Sequence, residues 1–283
     1  MIVRRLASLT LGVLMSIAAG GATAASLEIF HADSLAGPMR GLKSAFETKQ
    51  AGITVNLTSA TSKQLAERIL AGERCDVFAS SAPSVIENDL MTPASHAPVA
   101  AWLAVFSANE MVVVTRSGNP RRIARMADLA ALDLRLARVT GDKDLATQRS
   151  IDFIGRALKL EGADPGLAQK ILQKAPADPT RPVPVPAVID AVKSGAADAG
   201  VVYLSAAVAA QDGVAVIRFP AEVNMSEVIR NAATVPATAQ NAAMAEAFVK
   251  FLLSAEGREI LERTGQPPIV PPALIGAVPD AVR

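Results

Sequence analysis

The sequence predicts an α/β protein of two lobes, each a mixed sheet flanked by helices, and three observations lead there. From Ser26 to Ala79 the apolar pattern alternates between strand and helix periods as βαβαβ, the signature of parallel strands covered by helices with ligand chemistry at the strands' carboxyl ends. A second block with strands of its own begins at Met111. Near the C-terminus the alternation gives way to helix alone, so that region returns to complete the first lobe and starts no third. Lobe one is therefore expected over residues 26–109 plus 220–283, and lobe two over 110–219. A chain of 283 residues, 51% of them hydrophobic, is long enough to build both cores.

Each element has a local reason. Arg4 and Arg5, the apolar run 6–19 and the small residues Ala22-Thr23-Ala24 form the layout of a secretory signal peptide over 1–24, cleaved after Ala24. A membrane anchor is the competing reading, but the apolar run is short for ~30 Å of hydrocarbon, and no Trp or Tyr flanks it. Residues 27–30 form a short strand. Leu35, Met39, Leu42 and Phe46 then recur at helical spacing. A strand over 53–57, a helix striped by Leu65, Ile69 and Leu70, and a strand from 76 to 79 complete the first run. Trp102 and Phe106 read as core. In the second block, strands are expected at 111–115, 134–139, 183–185, 200–203 and 214–219. Helical segments lie near 126–130, over 147–160 with Ile151, Ile154 and Leu158 aligned, and over 186–194, where Pro186 suits a first turn. Gly118-Asn119-Pro120 and residues 163–166 are turns, and the Arg121-Arg122 pair belongs to a solvated one. Helices at 241–253 and 255–264 follow, and the proline-rich tail 266–283 reads as an extended surface strap.

Composition removes several function classes. The balance of 28 Lys+Arg against 27 Asp+Glu falls to 26 against 27 once Arg4 and Arg5 leave with the leader, which provides no basic field for nucleic acid. One cysteine and two histidines cannot build a zinc cage, and Cys75 reads as a small buried hydrophobe. A serine hydrolase would want a nucleophile elbow and a later histidine, yet His31 and His96 both precede Ser150. No glycine-rich dinucleotide or phosphate loop is present, and His31 beside Asp33 has no third partner. The expectation is a binding protein, not an enzyme, with no cofactor.

Polar residues at helix starts point to what is bound. Ser34 precedes the Leu35 helix, Ser62 precedes the Leu65 helix, Ser150 lies in or near the first turn of the 147–160 helix, and Tyr203 stands at a strand end. Taken singly, each serine is an ordinary N-cap. Converging on one cleft, helix N-termini would hold a dianion with neutral donors alone. Lys63 and Arg149 adjoin two of these serines and either add attraction or sit in solvent.

The motifs FHADSL at 30–35, SATSKQLAERILAG at 59–72, DVFAS at 76–80, MVVV at 111–114, ADAGVVYL at 197–204 and FVKFLLSAEGREIL at 248–261 together make the chain resemble the periplasmic molybdate-binding proteins of ABC importers. The resemblance covers nearly the whole mature chain. It implies a two-lobed periplasmic-binding-protein fold of type II, acting as a monomer, whose cleft closes on molybdate or tungstate and delivers it to a permease in the inner membrane. It places the ligand on Ser34, Ser62, Ser150, Val185 and Tyr203, the Ser150 and Val185 positions acting through backbone donors, with no side chain ligating a metal ion directly. Two segments depart from the family pattern: Asp33 before the first site serine, and KDLATQRS at 143–150. A cleft-facing Asp33 would repel a dianion and accept the proton of hydrogen phosphate; otherwise it caps the Leu35 helix. Phosphate, sulfate or a small organic anion is the alternative ligand, and an enzyme using the same cleft is the reading from another class.

Overall fold

The computed structural model describes residues 25–141, 145–176, 181–210 and 212–283; the segment read as a leader lies outside the described residues. The first part of the chain runs β1 (Ala25–Ala32), a 3-10 turn at Asp33–Leu35, α1 (Ala36–Lys49), β2 (Ile53–Ala60), α2 (Ser62–Leu70) and β3 (Val77–Ser80). It continues through α3 (Pro83–Val85), a π-turn at Ile86–Met91 and β4 (Trp102–Ala108). The second block holds β5 (Met111–Arg116), a 3-10 turn at Met126–Ala130, β6 (Leu136–Arg138), α4 (Leu145–Leu160), α5 (Gly166–Gln173), α6 (Val185–Ser194), β7 (Ala199–Tyr203), α7 (Leu204–Ala209) and β8 (Val214–Ile217). The last part runs β9 (Arg230–Thr234), α8 (Ala242–Leu253), α9 (Ala255–Arg263) and β10 (Pro268–Gly276).

The strands form two sheets, in the orders β10-β4-β9-β3-β1-β2 and β6-β7-β5-β8. In the first, β1 is parallel to β2 and β3, while β9 runs antiparallel to β3 and β4. In the second, β6 is parallel to β7, and β5 is antiparallel to both β7 and β8. Both sheets are thus mixed, and helices cover them. Along β4, Trp102, Ala104 and Phe106 enter a core shared with α1, α8 and α9, while Leu103 and Val105 enter one shared with α2 and the 82–90 segment. Side chains alternate across a strand, so these two cores are the two faces of one sheet. A strand buried on both faces reads as a continuous apolar run, which is why the sequence marks Trp102 and Phe106 as core without revealing β4.

The second sheet carries one core, into which α4 sends Phe153, Ile154, Ala157 and Leu158. Ile151, expected on that stripe, is only half-buried. At Gly200 a Cβ would stand 2.8 Å from Val188 Cγ1, so the missing side chain lets α6 settle on β7.

Three expectations change. Residues 183–185 form no strand: Val183 makes an isolated bridge to Thr140, and α6 begins at Val185 with Pro184 as its N-cap. Prolines on both sides of Val185 remove ladder donors but suit a helix start. The tail, expected as an extended surface strap, is extended and largely exposed but forms a paired strand. It pairs as β10 with β4 at the sheet's edge, with an irregularity between Pro268 and Ala273, where prolines cost no interior ladder bond. Finally, Val223, Met225 and Ile229 belong to the second core, so residues 220–229 pack with lobe two and the chain rejoins the first sheet only at β9.

Candidate functional site

The first lobe contributes from the carboxyl ends of β1 and β3 and from the start of α2. Thr61, not Ser62, is the N-cap of α2: its Oγ1 accepts from the Gln64 N–H at 3.3 Å, and Gln64 Oε1 accepts from the Thr61 N–H at 3.3 Å. That reciprocal capping box leaves the Ser62 hydroxyl, on the first helical residue, with other work. Ser62 is 5% exposed, and its Oγ accepts from the Ser81 N–H at 3.1 Å and lies 3.2 Å from Ser81 Oγ. Ser34 sits inside the 3-10 turn after β1 and makes no side-chain cap; its carbonyl accepts from Ser205 Oγ at 3.3 Å and Gln266 Nε2 at 3.0 Å.

The second lobe meets this surface through Arg149 and Tyr203. Tyr203 ends β7 and is the N-cap of α7. Arg149, on α4 and 9% exposed, donates through Nη1 to Tyr203 Oη at 3.0 Å and through Nη2 to the Ser81 carbonyl at 3.3 Å. Its guanidinium carbon also lies 5.9 Å from the Tyr203 ring centroid. The contacts join in a chain from Ser62 to Ser81, from Ser81 to Arg149 and from Arg149 to Tyr203, while Ser205, two residues past Tyr203 on α7, separately meets the Ser34 carbonyl. No carboxylate among the described residues is in ion-pair contact with Arg149. A desolvated guanidinium with neutral partners carries an unbalanced charge, and its planar fork matches the oxygens of an anion. Arg149 thus lies where the two lobes meet, bonded to a residue of each.

The remaining expected residues fall elsewhere. Ser150 is the sixth residue of α4, past the first turn, and fully buried; its Oγ donates to the Thr147 carbonyl at 2.7 Å and accepts from Arg138 Nη1 at 3.3 Å. Its backbone N–H belongs to the helix ladder, so Ser150 does not supply the donor expected of it. Val185 is the half-buried first residue of α6, and no hydrogen bond among the described residues ties it to the others. Asp33 neither caps a helix nor lies buried: it is exposed, and its Oδ1 accepts from Ser59 Oγ on β2 at 2.5 Å. His31 is buried, its Nδ1 2.9 Å from the Ala32 carbonyl, and desolvation holds the imidazole below its ordinary pKa. Cys75 is fully buried and burial pushes its thiol upward, which makes it unreactive. No group of three His, Cys, Asp or Glu side chains among the described residues is placed to hold a metal ion.

Ser81 and Ser205 are not among the expected site residues: Ser81 starts no helix, and Ser205 is the second residue of α7, a short helix that the apolar pattern does not mark. The signal for Ser81 is its place just past β3, at a strand's carboxyl end, where ligand sites of such sheets gather. Behind the site, Asn109 Nδ2 donates to Ser205 Oγ at 2.9 Å where the chain first leaves lobe one. Gly265 has φ +74° and brings its Cα hydrogens where a Cβ would be 2.9 Å from Ser205 Cα, so Gln266 can reach Ser34.

The sequence model of the bacterial extracellular solute-binding proteins matches residues 27–266. The chain belongs to that family. It is 29% identical to the molybdate-binding protein ModA of Mycobacterium tuberculosis over 244 residues, 86% of this chain and 84% of the relative. The periplasmic molybdate-binding protein of Azotobacter vinelandii superposes with TM-score 0.63 at 20% identity, covering 85% of this chain and 98% of its own. The sulfate-binding protein SubI of Mycobacterium tuberculosis superposes with TM-score 0.64 at 16% identity, covering 87% and 88%. At such identities the two structures show the fold, a two-lobed binding protein. The resemblance to the molybdate-binding proteins stands on the ModA alignment, and no helix among the described residues is long and apolar enough to cross a membrane.

Proposed function

We propose that this solute-binding protein captures a tetrahedral oxyanion, molybdate or tungstate, between its lobes in the periplasm and delivers it to the permease of an ABC importer. The observation that carries the reading is Arg149 on lobe two, reaching Tyr203 Oη and the Ser81 carbonyl on lobe one at the point where Ser62 also arrives. Hydroxyls and a guanidinium are donors, and donors from both lobes make closure and ligand capture one event. Hydroxyls and backbone donors are what the resemblance implies; a buried guanidinium beside them supports an anion as ligand and widens the range of anions that fit. Sulfate and phosphate are the second reading, favoured by that same guanidinium, which does not measure the size of the ion. Isothermal titration calorimetry of residues 25–283 with molybdate, tungstate, sulfate and phosphate tests this. Tight binding of molybdate or tungstate that Arg149→Ala removes supports the first reading; preference for sulfate or phosphate supports the second, and no heat from any of the four overturns both.

A further inference from the structure

Beside the Ser81–Arg149 contact lies an open pocket of about 410 Å³, walled by Lys63 and residues 82–85 of lobe one, by Leu145 and Arg149 of α4, and by Glu227, Val228 and Arg230 where the chain returns to the first sheet. That volume is within the roughly 300–1,000 Å³ of small-molecule pockets, and the depression is open to solvent and lies beside the serines, which do not line it themselves. Its charge is uneven. Lys63, Arg149 and Arg230 line it as cations, against one acid, Glu227, whose carboxylate is already paired with Arg156. Pro83, Val85 and Val228 add apolar surface to the same wall.

We propose that the site extends into this cavity and takes a short organic anion: a tetrahedral oxyanion group at Ser62, Ser81 and Arg149, a few carbons along Val85 and Val228, and a carboxylate between Lys63 and Arg230. The proposal rests on the oxyanion reading above and adds the class of substrate. A ligand of that class gains a second set of charge-assisted hydrogen bonds and buries its carbon chain, neither of which an inorganic ion can do. Lys63 and Arg230 then determine specificity, whereas Arg149 serves any anion.

Calorimetry with phosphoglycolate and with inorganic phosphate, which share a phosphoryl group and differ in the carboxylate arm, reads the cavity's contribution directly. Phosphoglycolate is expected to bind at least about tenfold more tightly than phosphate. Lys63→Ala with Arg230→Ala in one chain is expected to erase that preference while changing the affinity for molybdate or phosphate less than about threefold. A thermal melt of the double variant within a few degrees of the parent shows that it folds. Phosphoglycolate binding no tighter than phosphate overturns the inference, as does equal weakening of both ligands in the double variant. Molybdate binding that persists in either case leaves the oxyanion reading in place, and no binding of molybdate, tungstate, sulfate or phosphate by the parent protein overturns that reading separately.

Discussion

Arg149 Nη1 stands 3.0 Å from Tyr203 Oη, although the two residues come from different elements of lobe two, and the same guanidinium crosses to the Ser81 carbonyl of lobe one. The pair fixes where positive charge sits in the cleft. Arg149→Ala is expected to weaken oxyanion binding at least about tenfold, since it removes charge-assisted bonds worth roughly 1.5–3 kcal/mol. Arg149→Lys keeps the charge but not the fork, so it should recover only part of the loss. Tyr203→Phe, which deletes one partner of the guanidinium, should cost less than Arg149→Ala. Titration calorimetry ranks the three, and an Arg149→Ala protein with parental affinity would remove the guanidinium from the site.

Ser62 and Ser150 separate a cleft hydroxyl from a core one. Ser62→Ala is expected to weaken binding by about 1.5–3 kcal/mol, the worth of a hydrogen bond to a charged acceptor. Ser150→Ala should leave affinity alone and lower stability by about 1 kcal/mol, because its hydroxyl serves the Thr147 carbonyl and Arg138. Urea unfolding beside calorimetry on both variants checks the pair; a weaker-binding Ser150→Ala would return that residue to the site.

Asp33 is spent on Ser59. The substitution Asp33→Ala removes an exposed bond to the neighbouring strand and should cost no more than about 1 kcal/mol in stability, with affinity for molybdate and phosphate unchanged. Tighter molybdate binding in that variant would instead put the carboxylate against the ligand.

His31 makes stability depend on pH. Desolvation lowers its pKa from the ordinary 6.5, prevailing over the Ala32 carbonyl and the Asp33 charge, which both raise it. The unfolded chain therefore binds a proton that the folded chain resists. Stability is fullest above about 6.5 and declines as pH falls below that value and on through the folded pKa. His31→Gln should flatten this component. The measurement is the difference in urea midpoint between parent and variant at about pH 7.5 and about pH 5.5; a difference that does not change between them refutes the assignment.

Much of the architecture was legible because periodicity is local. The stripe Leu35, Met39, Leu42 and Phe46 marked α1, although a 3-10 turn takes up Leu35, and the alternation of strand and helix gave the class and the order of the first five elements before any contact was known. Ser62 and Tyr203 could be singled out for a related reason: a polar residue next to a strand or helix end is visible in the sequence, and the structure places both at such ends, beside Ser81 and Arg149 respectively. The tail was not, since prolines argue against an interior strand and say nothing of an edge that β4 leaves open.

Arg149 and Ser150 show what lay beyond the sequence. They are neighbours, about 100° apart around one helix, and both fall on its buried side. Which one reached across to lobe one and which one turned to the core was decided by the rotation of α4, and that rotation is set by Phe153, Ile154, Ala157 and Leu158 packing against the second sheet. The sequence by itself determined that a serine and an arginine stand side by side near a helix start. Only the tertiary structure brought Arg149 to Ser81, 68 residues earlier, and to Tyr203, 54 residues later, because contacts between distant residues leave no period in the chain that makes them.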